Sequence, residues 1–191
     1  MKSQDRKIQI INVALSIIGE SGLQGLTTSK IASRSQITEA AIYRHFINKE
    51  DIILQVIATI GKRLTSTLVS IKSEAIDATA KLLKILMTHL DHIQKNQGVP
   101  RIVYTSEVHL DENMRFKLFS ITELYIQIIT EILNEGIASG VFKKGLDSGA
   151  VARLFLSIIQ FTAFRYSLSG FNKNTITEGM TLWDSFLKSI L

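Results

Sequence analysis

Between Leu26 and Ile52 one helix-start device occurs three times, and few folds accommodate it. Thr27, Thr38 and Asn48 each follow an apolar residue (Leu26, Ile37, Ile47) and each precede an isoleucine by four positions (Ile31, Ile42, Ile52). A side-chain oxygen at such a position accepts from an unpaired backbone N–H of the first turn, and the flanking apolar pair packs across it as a staple. Glu50 and Asp51 put negative charge at the positive end of the third helix. The spacing leaves the first two helices about two turns each. This is a tight helix-turn-helix that runs at once into a longer helix.

The rest of the chain keeps a helical period. Ile8, Ile11, Leu15 and Ile18 recur at spacings of three and four, and Gly19, Gly22 and Gly25 then break the stripe. A long helix runs from about 48 to 72, and further helices are predicted over 75–96, 101–110, 113–139, 147–169 and 176–190. Gly98-Val99-Pro100, 140–145 and 170–174 read as the breaks between them. No strand-like alternation occurs, so the fold is all-α. Hydrophobic residues make up 46% of the 191, enough for a sizeable core. The absence of cysteine excludes disulfides, thiolate metal sites and cysteine nucleophiles, and suits the reducing cytoplasm. The polar Met1–Lys7 does not read as a signal peptide. The stretch Ala150–Ser169, taken as the most apolar, carries Arg153, Gln160 and Arg165 and reads as a buried helix, not a membrane span.

The net charge of +5 is unevenly placed. Residues 1–63 hold nine Lys/Arg against five Asp/Glu, and the remainder thirteen against twelve, so only the front end is suited to a polyanion. In the helix that starts at Thr38, burying Ile42 and Phe46 leaves Glu39, Ala40, Tyr43 and Arg44 facing outward, with His45 and Lys49 at the far end. A thin helix of this kind can enter a major groove, its first residues reaching base edges while flanking groups hold phosphates. The hydroxyls of Thr27, Thr28 and Ser29 start the preceding helix, where free N–H groups suit a phosphate, and Lys30 adds a charge. The same geometry occurs in proteins that never touch DNA, and Tyr43 can equally be a packing residue.

The run Leu26-Thr27-Thr28-Ser29-Lys30-Ile31-Ala32, then Ile37-Thr38, then Ile42-Tyr43-Arg44-His45-Phe46 and Lys49-Glu50-Asp51-Ile52, resembles the TetR family of bacterial transcriptional regulators. The likeness covers about residues 5–55, with Tyr-Arg-His-Phe and the lysine three residues on as its most specific part. It implies a three-helix DNA-binding head over residues 1–50, joined by a fourth helix to an all-helical bundle body over 51–191 that dimerises and binds a small ligand. It further implies phosphate contacts at Thr27, Thr28, Tyr43, His45 and Lys49, and base contacts at Glu39 and Ala40. The partners so implied are a pseudo-palindromic duplex operator, a second copy of the chain, and an apolar or amphipathic effector, with no cofactor and no membrane. Two departures stand out: Arg34-Ser35-Gln36 in the turn, where the family tends to have Ala and Gly, and an acid at 39, where Lys is frequent. Glu39 is expected either to complement the helix dipole or to accept from a cytosine amino group.

In the body, the helix near 147–169 is apolar around much of its circumference. Val151, Leu154, Phe155, Ile158 and Thr162 form one line, and with the seam Met180, Trp183 and Leu187 of the last helix they are the expected dimer interface. Met87, Leu90, Tyr104, Phe119, Tyr125 and Phe161 are candidates to line a ligand pocket, against the alternative of ordinary core packing. His89 and His92, with Glu107 and His109, form a weak metal candidate, and no metal site is assigned. Enzyme readings find no purchase: no Glu-x-x-His pairs, no Gly-rich phosphate loop, no nucleophile elbow. A helical interaction module with a vestigial helix-turn-helix is the remaining alternative.

Overall fold

The helical period of the sequence is realised throughout residues 3–191, which are those described by the computed structural model, and no strand occurs among them. Helix α1 (Ser3–Ser21) turns Ile10, Ile11, Ala14, Leu15, Ile17 and Ile18 inward, while Ile8, expected on that stripe, is exposed. Helix α2 (Thr28–Ser35) is capped by Thr27, whose hydroxyl oxygen accepts from the Lys30 N–H at 3.1 Å. Thr38 caps α3 (Glu39–Tyr43) in the same way through the Ala41 N–H at 3.2 Å. Asn48 caps α4 (Lys49–Lys72) through the Asp51 N–H at 2.8 Å, and the Asp51 carboxylate reaches back to accept from the Ile47 N–H. The expected staple forms at the first start, where Leu26 and Ile31 are buried, but Ile47 is 86% exposed and staples nothing.

The turn between α2 and α3 carries strain that its residues explain. Gln36 sits in the left-handed region (φ 54°, ψ 48°), with its N–H returned to the Ser33 carbonyl and that of Ile37 to Ala32. A Cβ makes this conformation costly by about 1–2 kcal/mol, part of which glycine's greater chain entropy would offset. Beside it the Ser35 hydroxyl is buried without a partner, a loss on the order of 1 kcal/mol. The double variant Ser35→Ala, Gln36→Gly should therefore be more stable by roughly 1–2 kcal/mol, seen as a rise of several degrees in thermal midpoint. An unchanged or lower midpoint would show that the turn is relaxed as it stands.

The chain divides into two compact units. The first holds residues up to Lys62 together with Asn96–Phe119, so α6 (Gly98–Val103) and α7 (Ser106–Leu110) belong with the head-forming helices. Within this unit α6 packs along α1. The single helix expected over 101–110 is two, separated at Tyr104-Thr105, and the break before them falls at 96–97. Gly98 and Pro100 lie inside the first turn of α6, where a missing N–H is tolerated.

The second unit holds Arg63–Lys95 and Ser120–Leu191, with α5 (Ala78–Lys95), α9 (Ser148–Leu168) and α10 (Thr175–Ile190); α4 and α8 (Glu112–Ala138) contribute to both units. Its core joins Leu82, Leu86 and Leu90 of α5 to Ile129 and Ile132 of α8, Phe155 and Ile159 of α9, and Trp183 of α10. The Thr175 hydroxyl donates to the Leu90 carbonyl at 3.0 Å, and Gly179 lets α10 approach Leu90.

This packing revises the expected dimer line. Val151, Phe155, Thr162 and Trp183 are buried in the chain's own core, Phe155 meeting Trp183 edge-on at 6.4 Å. Ile158, Met180 and Leu187 are half-buried, and only Leu154 of the eight stands clear of the core at 60% exposed. The outward apolar stripe of α9 runs instead through Leu154, Phe161, Phe164 and Leu168. By length and composition α4, and not residues 150–169, is the one helix among the described residues apolar enough to cross a membrane. Lys62 and Arg63 interrupt it, and Ile52, Ile53, Val56 and Ile57 are buried in the head.

Candidate nucleic-acid interface and a cavity in the second unit

The face of α3 follows from what it must bury. Ile42 and Phe46 are turned fully inward, which leaves Glu39, Ala40, Tyr43 (54% exposed) and Arg44 on the surface. His45 and Lys49 lie partly covered at the far end. Around this helix the head is fastened by polar links. The Arg34 guanidinium makes two parallel 2.6 Å bonds to the Glu20 carboxylate, joining α2 to α1 and holding Glu20 down to about 2, with the Ser16 hydroxyl adding to the effect. The Lys30 ammonium donates to the Ser21 hydroxyl at 2.9 Å, and the Lys7 ammonium lies 5.4 Å above the Phe46 ring.

One link was missed in the sequence. The Thr28 hydroxyl donates to Glu39 Oε2 at 2.6 Å, tying the first turn of α2 to the first turn of α3. Both residues were marked individually, but eleven positions of chain separate them and only the folded turn brings them together. The carboxylate is thus neither a plain dipole partner nor an unattached acceptor. Thr27 and Ser29 are exposed beside it, and Thr28 is half-buried.

The second unit contains a cavity of about 80 Å³ between α4 and α5. Its floor is apolar, formed by the buried side chains of Leu68, Ile71 and Ile85 with Leu64. Its mouth is polar: exposed Arg63 and Thr88 and half-buried His92. His89 stands in the wall, its Nδ1 3.3 Å from the buried Tyr125 hydroxyl of α8. Burial holds His89 well below its ordinary value, and the nearby His92 adds to this. His92 is lowered in turn by burial and by the Arg63 guanidinium, against a smaller opposing pull from Asp91. Burial raises the Tyr125 phenol, so it stays protonated.

None of the six residues expected to line a pocket lines this one. Leu90 and Tyr125 are core residues, Tyr125 acting from behind His89; Met87 is half-buried; Phe161 faces outward on α9. Tyr104 and Phe119 belong to the first unit and are exposed there. Apolar character alone does not tell the floor of a cavity from a core. His89 and His92 share the cavity wall, whereas Glu107 and His109 lie in the other unit, the His109 ring 2.6 Å from the Val103 carbonyl. Among the described residues no three such side chains converge on a point suited to a metal.

Residues 10–56 match the family model "Bacterial regulatory proteins, tetR family", and residues 75–181 match "Tetracyclin repressor-like, C-terminal domain". The fatty acid metabolism regulator protein of Bacillus subtilis is 28% identical over 162 residues, covering 84% of this chain and 83% of the relative. The nucleoid occlusion factor SlmA of Shewanella loihica is 30% identical over 183 residues, covering 91% and 88%. The crystal structure of the transcriptional regulator FadR from Bacillus subtilis, in complex with stearoyl-CoA, superposes with a TM-score of 0.83 at 23% identity, covering 96% of this chain and 99% of that one.

Proposed function

This chain belongs to the TetR family of bacterial regulatory proteins, DNA-binding regulators and not enzymes, and on that premise we propose a homodimeric repressor released from its operator by a small molecule. The observation that carries the reading is α3 itself: a short helix anchored by buried Ile42, with Glu39, Ala40, Tyr43 and Arg44 on its open face. It enters the major groove of a pseudo-palindromic duplex in the cytoplasm, and Thr38 sets its first turn. Ser29 and Thr27 at the start of α2, with Tyr43, His45 and Lys49 beyond α3, hold phosphates on either side. Thr28 reaches a phosphate only by giving up Glu39. While that bond stands, Glu39 keeps Oε1 to accept from a cytosine amino group.

Dimerisation uses the outward stripe of α9, through Leu154, Ile158 and Phe161, flanked by Met180 and Leu187 of α10. A solved relative holds stearoyl-CoA and a curated one is named for fatty acid metabolism, which supports an amphipathic ligand with an aliphatic part for this chain. That ligand occupies the second unit and lowers affinity for DNA.

The test is titration of a duplex from upstream of the protein's own gene, across a salt series, beside a random duplex. Lys49→Ala should weaken both by similar factors and reduce the steepness of the salt dependence by about one counterion. Unequal losses would remove Lys49 from the phosphate contacts, and no preference for any genomic fragment would remove the regulator reading.

A further inference from the structure

Resting on the operator binding proposed above, we infer that Thr28 is a positioning residue for base recognition: its hydroxyl holds the Glu39 carboxylate so that the operator must carry cytosine at one symmetric pair of positions. The contact itself carries this. Thr28 Oγ1 donates to Glu39 Oε2 at 2.6 Å, the length of a charge-assisted bond. Among the described residues Glu39 forms no ion pair. The two cations of α2 are engaged elsewhere, Lys30 by the Ser21 hydroxyl at 2.9 Å and Arg34 by Glu20. Both ends of the bond are set without DNA. Thr27 caps α2 through the Lys30 N–H, and Thr38 caps α3 through the Ala41 N–H, so each first turn is fixed locally. A threonine side chain has few χ1 states, and its hydroxyl has a single proton. While that proton is given to Glu39 none is left for a phosphate, which takes Thr28 out of the phosphate contacts that the family likeness implies.

The tether turns a flexible acid into a selective one. With Oε2 occupied, Glu39 offers Oε1, an acceptor with no proton to give. In the major groove cytosine presents an amino donor, and adenine presents one beside the N7 acceptor. Guanine presents N7 and O6, and thymine O4, all acceptors. The order of preference is therefore cytosine, then adenine, with guanine and thymine repelled. An untethered glutamate would swing into water on meeting an acceptor, and the penalty on the wrong base would vanish. Held by Thr28, it cannot retreat. Ala40, exposed beside it, is too small to keep a base edge away.

The test is selection by the full-length protein from a random duplex pool, then titration of duplexes carrying each base at the affected positions. Glu39→Ala should lose the preference at one symmetric pair and keep the rest of the site, which identifies the pair. There the unaltered protein should favour cytosine over guanine and thymine by about tenfold or more per half-site. Thr28→Val should reduce that ratio to about twofold, at the same pair and nowhere else, chiefly through tighter binding of the mismatched duplexes. Thr28→Ser, which keeps the hydroxyl, should retain it, and Thr28→Ala repeats the comparison should the valine lower the thermal midpoint. Replacing that cytosine by 2-pyrimidinone, which lacks the amino group, should cost the unaltered protein a similar factor and Glu39→Ala much less. Equal losses on selected and random duplexes in Thr28→Val, with base preferences kept, would make Thr28 a phosphate contact. Preferences unchanged in Glu39→Ala, or indifference to the missing amino group, would remove Glu39 from the bases. Each of these overturns the assignment and leaves the regulator standing; a pool from which no sequence is enriched overturns both.

Discussion

Phe161→Glu should leave the protein folded, convert it to monomers, and weaken operator binding by roughly a hundredfold, since one head reads only a half-site. Phe161 is 52% exposed in the isolated chain, so its removal takes nothing from the core. It sits on a stripe with Leu154 (60% exposed) and Leu168 (70% exposed), seven residues away on either side, and half-buried Ile158 completes the seam. Arg165 does not break it, because its guanidinium turns to Glu178 at 3.3 Å and lies 5.9 Å from the Phe161 ring. In a two-fold pairing the stripe meets itself, so two glutamates would be brought together in an apolar seam, beside an Arg165 whose charge Glu178 already balances. Trp183→Asp is the contrast. Trp183 is packed against Phe155 and Phe186 inside one chain, so a charge there should cost stability before it costs association. Sedimentation, a thermal melt and an operator titration together decide. An intact Phe161→Glu dimer moves the interface elsewhere; a melt lowered as far as in Trp183→Asp makes the stripe part of the core.

The contrast between these two residues also shows where sequence reading stops. On α3 the pattern decided the orientation, because Ile42 and Phe46 just beyond it stand one turn apart and both turn inward. The caps Thr27, Thr38 and Asn48 were legible for a similar reason: a cap is a local bond between residues three apart. On α9 nearly every position is apolar, so the periodicity fits several faces, and the line through Val151, Phe155 and Thr162 turned inward while Leu154 and Phe161 turned out. The cavity was hidden for another reason. It exists only where the second half of α4 lies beside α5, and Arg63 and His92, which it brings together, belong to different helices. The Thr28–Glu39 bond likewise belongs to the turn and to neither helix alone.

Gly98→Ala should destabilise the DNA-binding unit by about 1–3 kcal/mol, a large effect for one methyl group. The reason is the closeness of α6 to α1. A Cβ on Gly98 would stand 2.6 Å from the Leu15 carbonyl oxygen and 2.7 Å from Leu15 Cδ1. The oxygen belongs to the backbone of a helix and cannot rotate away, so α6 must move outward. Helix propensity favours the substitution by at most about 1 kcal/mol and does not offset the displacement. Gly19, on the facing side, is the internal control: its Cβ would come only to 3.2 Å from the Gly98 nitrogen, a contact relieved by a few tenths of an ångström. Gly19→Ala should be near neutral, its propensity gain balancing that shift. The consequence reaches DNA because α1 packs against both α6 and α2, and α2 is fastened to α3 through Thr28 and Glu39. Hydrogen exchange should therefore quicken at α1–α3 amides in Gly98→Ala and stay unchanged in α9 and α10, with weaker operator binding in parallel. If Gly98→Ala melts at the wild-type temperature, α6 does not lie against α1 as described; if exchange quickens only in the second unit, residues 96–119 do not belong with the head.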